Sequence, residues 1–136
     1  MKSWTEKLAQ AKVPLKKHID KAFAGMPAGC LMYISTPQEI NAFVRQLRPG
    51  QLILPKQLRA QLAKDHAADH TCPVTTGIFL RIVAEAALEE LAQTQNLSAI
   101  TPFWRAIDAN SPLAKKLSCG PEFIADLQIE EATAAH

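Results

Sequence analysis

The stretch that most constrains the fold is Thr71–Leu91, TCPVTTGIFLRIVAEAALEEL. Cys72-Pro73 marks a turn, and Val74-Thr75-Thr76-Gly77 leads into a long helix that ends near Gln95. Its first turns are apolar on most sides, with Ile78, Phe79, Leu80, Ile82, Val83, Ala84, Ala86 and Ala87. A helix so apolar is expected to be buried, and its small residues let another backbone or a ligand come close. One charge interrupts the run, Arg81, and Glu85 and Glu89 follow it at four-residue steps. An isolated arginine there is either a solvated partner of Glu85 or a probe aimed at something anionic.

The remaining elements are short and amphipathic. Trp4 to about Ala11 forms a helix with Trp4 and Leu8 on one face, and Lys12–Gly29, broken by Pro14, Pro27 and two glycines, reads as an irregular arm packed over the domain. Cys30–Ser35 is the best early strand. Thr36-Pro37-Gln38-Glu39 is a helix start with a capping box, followed by Ile40, Phe43, Val44 and Leu47 on one face. Leu52–Leu54 is an edge strand or extended linker, and Pro55 opens a helix to Asp65 with Leu58 and Leu62 as its core stripe. With the loop His66–Thr75, this helix and the long one form a helix-turn-helix-like unit. Ala99–Ile107 and Leu113–Leu117 are expected to make a small wing. A last helix starts at Gly120-Pro121 with Phe123, Ile124 and Leu127 inward, and Ala132–His136 should fray.

The 136 residues suffice for one packed core, and the 48 % hydrophobic and 21 % charged content is ordinary for a soluble globular chain. No apolar run reaches the roughly 18–20 residues that span a bilayer, so no membrane partner is expected. MKSWTEKLAQ has no apolar core like a signal peptide's, and Cys30, Cys72 and Cys119 are odd in number and far apart. Both features suggest a cytoplasmic protein with free thiols. No cofactor is expected. Charge is uneven: residues 1–21 carry six lysines against Glu6 and Asp20, and residues 36–65 carry Arg45, Arg48, Lys56, Arg59 and Lys64 against Glu39 and Asp65. The tail from Cys119 onward is acidic, with Glu122, Asp126, Glu130 and Glu131. A basic front suits a phosphate-facing surface, and it is equally what a solvated surface looks like.

Two local patterns carry possible chemistry. Cys72 lies nearest the long helix's start, where Thr75, Thr76 and Gly77 offer hydroxyls and backbone N–H groups. A helix amino terminus lowers a thiol's pKa and binds anions, so a reactive Cys72 or a phosphate site is conceivable, against a buried cysteine in a stiff turn. His66, His70 and Cys72 have the spacing H-x3-H-x-C, three ligands for zinc with no fourth in view.

Thr101-Pro102-Phe103-Trp104-Arg105 resembles a known active-site turn. The carboxy-terminal DNA-binding domain of alkylguanine-DNA alkyltransferases carries Pro-Cys-His-Arg there, after a recognition helix beginning with an arginine. Arg81-Ile82-Val83-Ala84 resembles its Arg-Ala-Val-Gly, and Leu58 and Leu62 resemble its first helix, so the match covers roughly residues 38–131. The SWxEKL arm at Ser3–Leu8, TCPxTTGIF at Thr71–Phe79 and TPxWR at Thr101–Arg105 resemble more closely a bacterial group of alkyltransferase-like proteins. The implied fold is mainly α with a small β wing, a winged-helix-like (helix-turn-helix) domain over 30–136, preceded by an arm with a short helix over 1–29.

The departures decide the implied function. The family's acceptor cysteine falls on Phe103 and its activating histidine on Trp104, so thiol transfer at that turn is excluded. The resemblance implies a non-catalytic DNA-binding protein, with Arg81 filling the gap left by a flipped base and Phe103 and Trp104 as an aromatic surface for it. Thr75, Thr76, Gly77 and Arg105 belong to the same expected DNA surface, and Lys115 and Lys116 would hold a phosphate from the wing. DNA and a repair protein are the implied partners. A protein-interaction or small-ligand module is the alternative, and an alkyl-acceptor using Cys72 a third.

Overall fold

The computed structural model describes residues 2–134. Its backbone is a mainly helical domain with a small three-stranded sheet. The long helix α4 (Pro73–Thr94) supplies buried side chains to both large apolar clusters. It begins four residues earlier than Gly77-Ile78 because Pro73 takes the first helical position behind Cys72. The N–H of Thr76 and its hydroxyl both donate to the Cys72 carbonyl, at 3.2 and 2.7 Å. It ends at Gln95, in the left-handed conformation at φ 53°, whose N–H donates to the Leu91 carbonyl.

The first cluster packs the opening of α4 (Phe79, Leu80, Val83) against α2 (Pro37–Arg45) and α3 (Pro55–Asp65). Ile40 and Val44 from α2 and Leu58 and Leu62 from α3 are almost wholly buried, as their spacing predicts. The second cluster packs Ala84 and Ala87 of α4 against Phe103, Trp104, Ile107 and Ile124. Ile124 belongs to α6 (Gly120–Ala134), where Phe123 and Leu127 also pack inward. Of the tail Ala132–His136, residues 132–134 continue α6, and Ala135 and His136 lie outside the described residues.

Two expectations are corrected. The segments at 99–107 and 113–117 form no β wing. Pro102 is followed by a 3-10 turn at Phe103–Arg105, and Ser111 caps α5 (Pro112–Lys116), accepting the Ala114 N–H, with Pro112 at the first position. A capped proline start favours helix over strand, and a segment this short hides its helical period. The sheet lies elsewhere, in the order β1 (Leu15–His18), β2 (Leu31–Ile34), β3 (His70–Thr71). β1 pairs antiparallel with β2, Leu15 facing Ile34, and β3 pairs parallel with it, Tyr33 facing Thr71. β1 falls inside the segment expected to be irregular. All four of its residues are exposed, so no apolar alternation announces it, and its backbone ladder to β2 holds it.

Below the sheet, Ile19, Met26, Cys30, Met32 and Cys72 form a small third cluster. α1 (Trp4–Ala9) is capped by Ser3 and Glu6 reciprocally and lies across α4, with Trp4 and Leu8 against the first cluster. No helix among the described residues is long and apolar enough to cross a membrane.

Candidate functional site

A cationic concavity lies where α3 meets β3. Leu58 and Leu62 of α3 turn into the core, and the side away from them carries Lys56, Arg59 and Lys64, with Ala63 lining the cleft between them. β3 is tied to α3 by the Thr71 hydroxyl, which donates to the Arg59 carbonyl at 2.8 Å. The result is an open cleft of about 430 Å³ lined by those three cations with His70 and Asp69. Asp69 is committed to the fold: its carboxylate accepts the Leu31 N–H at 2.8 Å and its own N–H returns to the Leu31 carbonyl at 2.9 Å. The ion pairs among the described residues are His66–Glu39 and Arg105–Glu131, so Lys56, Arg59 and Lys64 carry no carboxylate partner there. Three cations against the single Asp69 carboxylate leave the cleft net positive, which fits an anion with several oxygens such as a phosphate.

Thr71 and Cys72 separate His70 from α4, whose first turns show Val74 and Ile78 about half exposed and Thr75 and Gly77 partly so. Because the helix opens at Pro73, the N–H groups of Thr76 and Gly77 lie inside its hydrogen-bonded body rather than forming a free anion nest. Cys72 is buried among Met32, Ile19 and Cys30, which removes the access a reactive thiol needs. Burial pushes the thiol of Cys119 up.

Arg81 makes no ion pair with Glu85. The Glu85 side chain is buried and turned to Ser118, whose hydroxyl and N–H both donate to it. The Arg81 guanidinium lies 5.3 Å from the Trp4 ring of α1, and its buried Nε has no hydrogen-bond partner among the described residues.

Phe103 and Trp104 are core residues, 0 % and 3 % exposed, packed edge to face 5.4 Å apart, so they offer no surface to a flipped base. Arg105 is fully engaged: it grips Glu131 through Nε and Nη2 (2.7 Å at the closest) and donates through Nη1 to the Leu47 carbonyl. Desolvation pushes the Glu131 carboxyl up, but hydrogen bonds from Arg105, Trp104 and Gly50 outweigh it and hold the group below the usual value. Lys115 and Lys116 are exposed on α5, outside the cleft.

His66, His70 and Cys72 do not converge; no group of three or more metal-ligating side chains occurs among the described residues. His66 instead joins a polar network invisible in its spacing. Its ring stacks on Tyr33 at 4.0 Å, and its Nε2 lies 2.7 Å from one Glu39 oxygen. The other Glu39 oxygen accepts from the Tyr33 hydroxyl at 2.6 Å and the Ser35 hydroxyl at 2.5 Å. Glu39 therefore does not close the expected capping box, of which only the Thr36 half forms. The carboxylate lies between imidazole and serine, so the imidazole is not placed to activate Ser35. The arrangement joins β2, α2 and the end of α3.

Comparison with known proteins finds no matching family model, no similar curated protein and no similar solved structure.

Proposed function

We propose that this protein binds DNA without catalysis, holding the phosphate backbone in the cleft between α3 and β3. The carrying observation is the convergence of Lys56, Arg59 and Lys64, none in an ion pair among the described residues, in one open cleft that holds a single carboxylate, Asp69. In this reading α3 and α4 act as the helix pair of an alkyltransferase-like unit, and the half-exposed Val74 and Ile78 meet the duplex beside the cleft. Recognition of an alkylated or flipped base is no part of it, because Phe103 and Trp104 are buried. Backbone contacts position a protein on DNA without reading sequence.

The test is a titration of a fluorescent duplex at two salt concentrations. Removing one cation that holds a phosphate should lower the slope of log affinity against log salt by about 1. Arg59→Glu with Lys64→Glu is expected to weaken binding at low salt by at least about tenfold, while Lys115→Glu leaves it near wild type. Absence of binding at low salt, or indifference to the cleft charges, overturns the proposal. A second reading rests on the cleft's volume, which lies in the range of small-molecule sites. A small phosphorylated ligand would then compete with the duplex at micromolar rather than millimolar concentration.

A further inference from the structure

Three features of α1 stand together. It has no fully buried residue, although Trp4 and Leu8 rest on the first apolar cluster. Its polar ties to the body are few and exposed: the Thr5 N–H and hydroxyl donate to Glu89 at 2.7 and 2.9 Å, and Gln38 donates to the Ala9 carbonyl. Finally, its docking leaves a defect in place. The Arg81 Nε is buried with no acceptor among the described residues, and a buried donor left unmade is costly, more so on a charged group. The Lys7 ammonium stands 4.2 Å from the same Trp4 ring that Arg81 approaches. The two cations are therefore no more than about 10 Å apart, and the Glu89 carboxylate, held below its usual value by the Thr5 hydrogen bonds and by the Lys7 charge, offsets part of their repulsion.

A six-residue helix with no fully buried residue, tied by exposed hydrogen bonds and lying over one unpartnered guanidinium nitrogen, is the kind that opens locally before the body unfolds. Lifting α1 relieves that defect, because the Arg81 Nε is then solvated or reaches an anion. The outward face of α4 that starts at Val74, Gly77 and Ile78 continues at Arg81, one helical turn on, where α1 now covers it.

We infer that α1 is a releasable cover on α4, and that a nucleic-acid duplex bound in the α3–β3 cleft lifts it, placing Arg81 on a phosphate. The inference rests on the DNA-binding reading above. A ligand that binds only the uncovered form shifts the population toward it, and the covered fraction lowers its apparent affinity.

The experiment uses the full chain and the same fluorescent duplex. Trp4→Ala and Leu8→Ala loosen α1 without changing charge, so a gain in affinity cannot come from altered electrostatic attraction. Each is expected to tighten binding about fivefold or more, and Arg81→Ala added to Trp4→Ala should abolish the gain. In the wild type, hydrogen exchange of the amides of residues 4–9 should accelerate when the duplex is saturating. If the duplex binds through Arg59 and Lys64 but both variants bind as wild type does and exchange at 4–9 is unchanged or slowed, the cover is refuted and DNA binding stands. If no form binds duplex, both fall together. Should Trp4→Ala disturb the far-ultraviolet dichroism of the body, Leu8→Ala and the wild-type exchange measurement decide alone.

Discussion

Glu39 is the residue on which most of the interior polar chemistry converges. Desolvation pushes its carboxyl upward, yet hydrogen bonds from Ser35, Tyr33 and His66 outweigh that and hold it below the ordinary carboxylate value. A depressed folded-state pKa stabilises the fold above the unfolded value of about 4.3 and loses that contribution as pH falls through the folded value. Glu39→Ala should therefore destabilise at neutral pH, by about 2–3 kcal/mol, since it leaves the Tyr33 and Ser35 hydroxyls without their acceptor. The same variant should show a flatter loss of stability on acidification than wild type. Urea unfolding at pH 7 and at pH 4 measures both. At this scale the sequence was least informative. Glu39 reads as half a capping box and His66 as a ligand, because partners 27 residues apart leave no mark in local spacing. Arg105 and Trp104 likewise read as DNA contacts until Glu131, at the far end of α6, is seen to hold both.

The helices were legible where an apolar stripe and a start signal agreed, as in α2 with Thr36-Pro37 and Ile40, Val44 and Leu47. β1 and β3 were not. β1 has no buried face to alternate, and β3 is two residues long, defined by its pairing with β2 rather than by its own side chains. The displaced wing has the same origin: the five residues Leu113–Leu117 are too few to show a period of their own, and Ser111-Pro112 tips them to helix. The start of α4 offers a prediction. Gly77 lies inside the helix without a positive φ, and a Cβ there meets nothing within 4 Å. Gly77→Ala should stabilise the protein by about 0.5–1 kcal/mol, visible as a raised melting temperature. If the backbone at this point has to approach a duplex closely, the same change will weaken binding; unchanged affinity restricts the contact to the side chains of Val74 and Ile78.

At the scale of the molecule, charge is sorted by what it is attached to. The acidic carboxy-terminal helix spends Glu131 on holding the Phe103–Arg105 turn, whereas the cations of α3 are left facing outward. The uneven charge along the chain thus becomes a cationic cleft on one side, and the coarse fold follows from one buried helix shared by two apolar clusters. Tyr33, the chain's one tyrosine, lies 2 % exposed where the sheet meets α2 and α3. Burial, reinforced by the Glu39 carboxylate, pushes its phenol above the ordinary value of about 10. A raised phenol pKa stabilises the fold at lower pH and loses that contribution as alkali ionises the unfolded chain first. The protein therefore carries a built-in optical alarm: in alkali just above pH 10, tyrosinate absorbance should stay silent while the fold holds. It should appear in a single step with the collapse of the helical signal. A smooth titration preceding that collapse would mean that the joint opens without the rest.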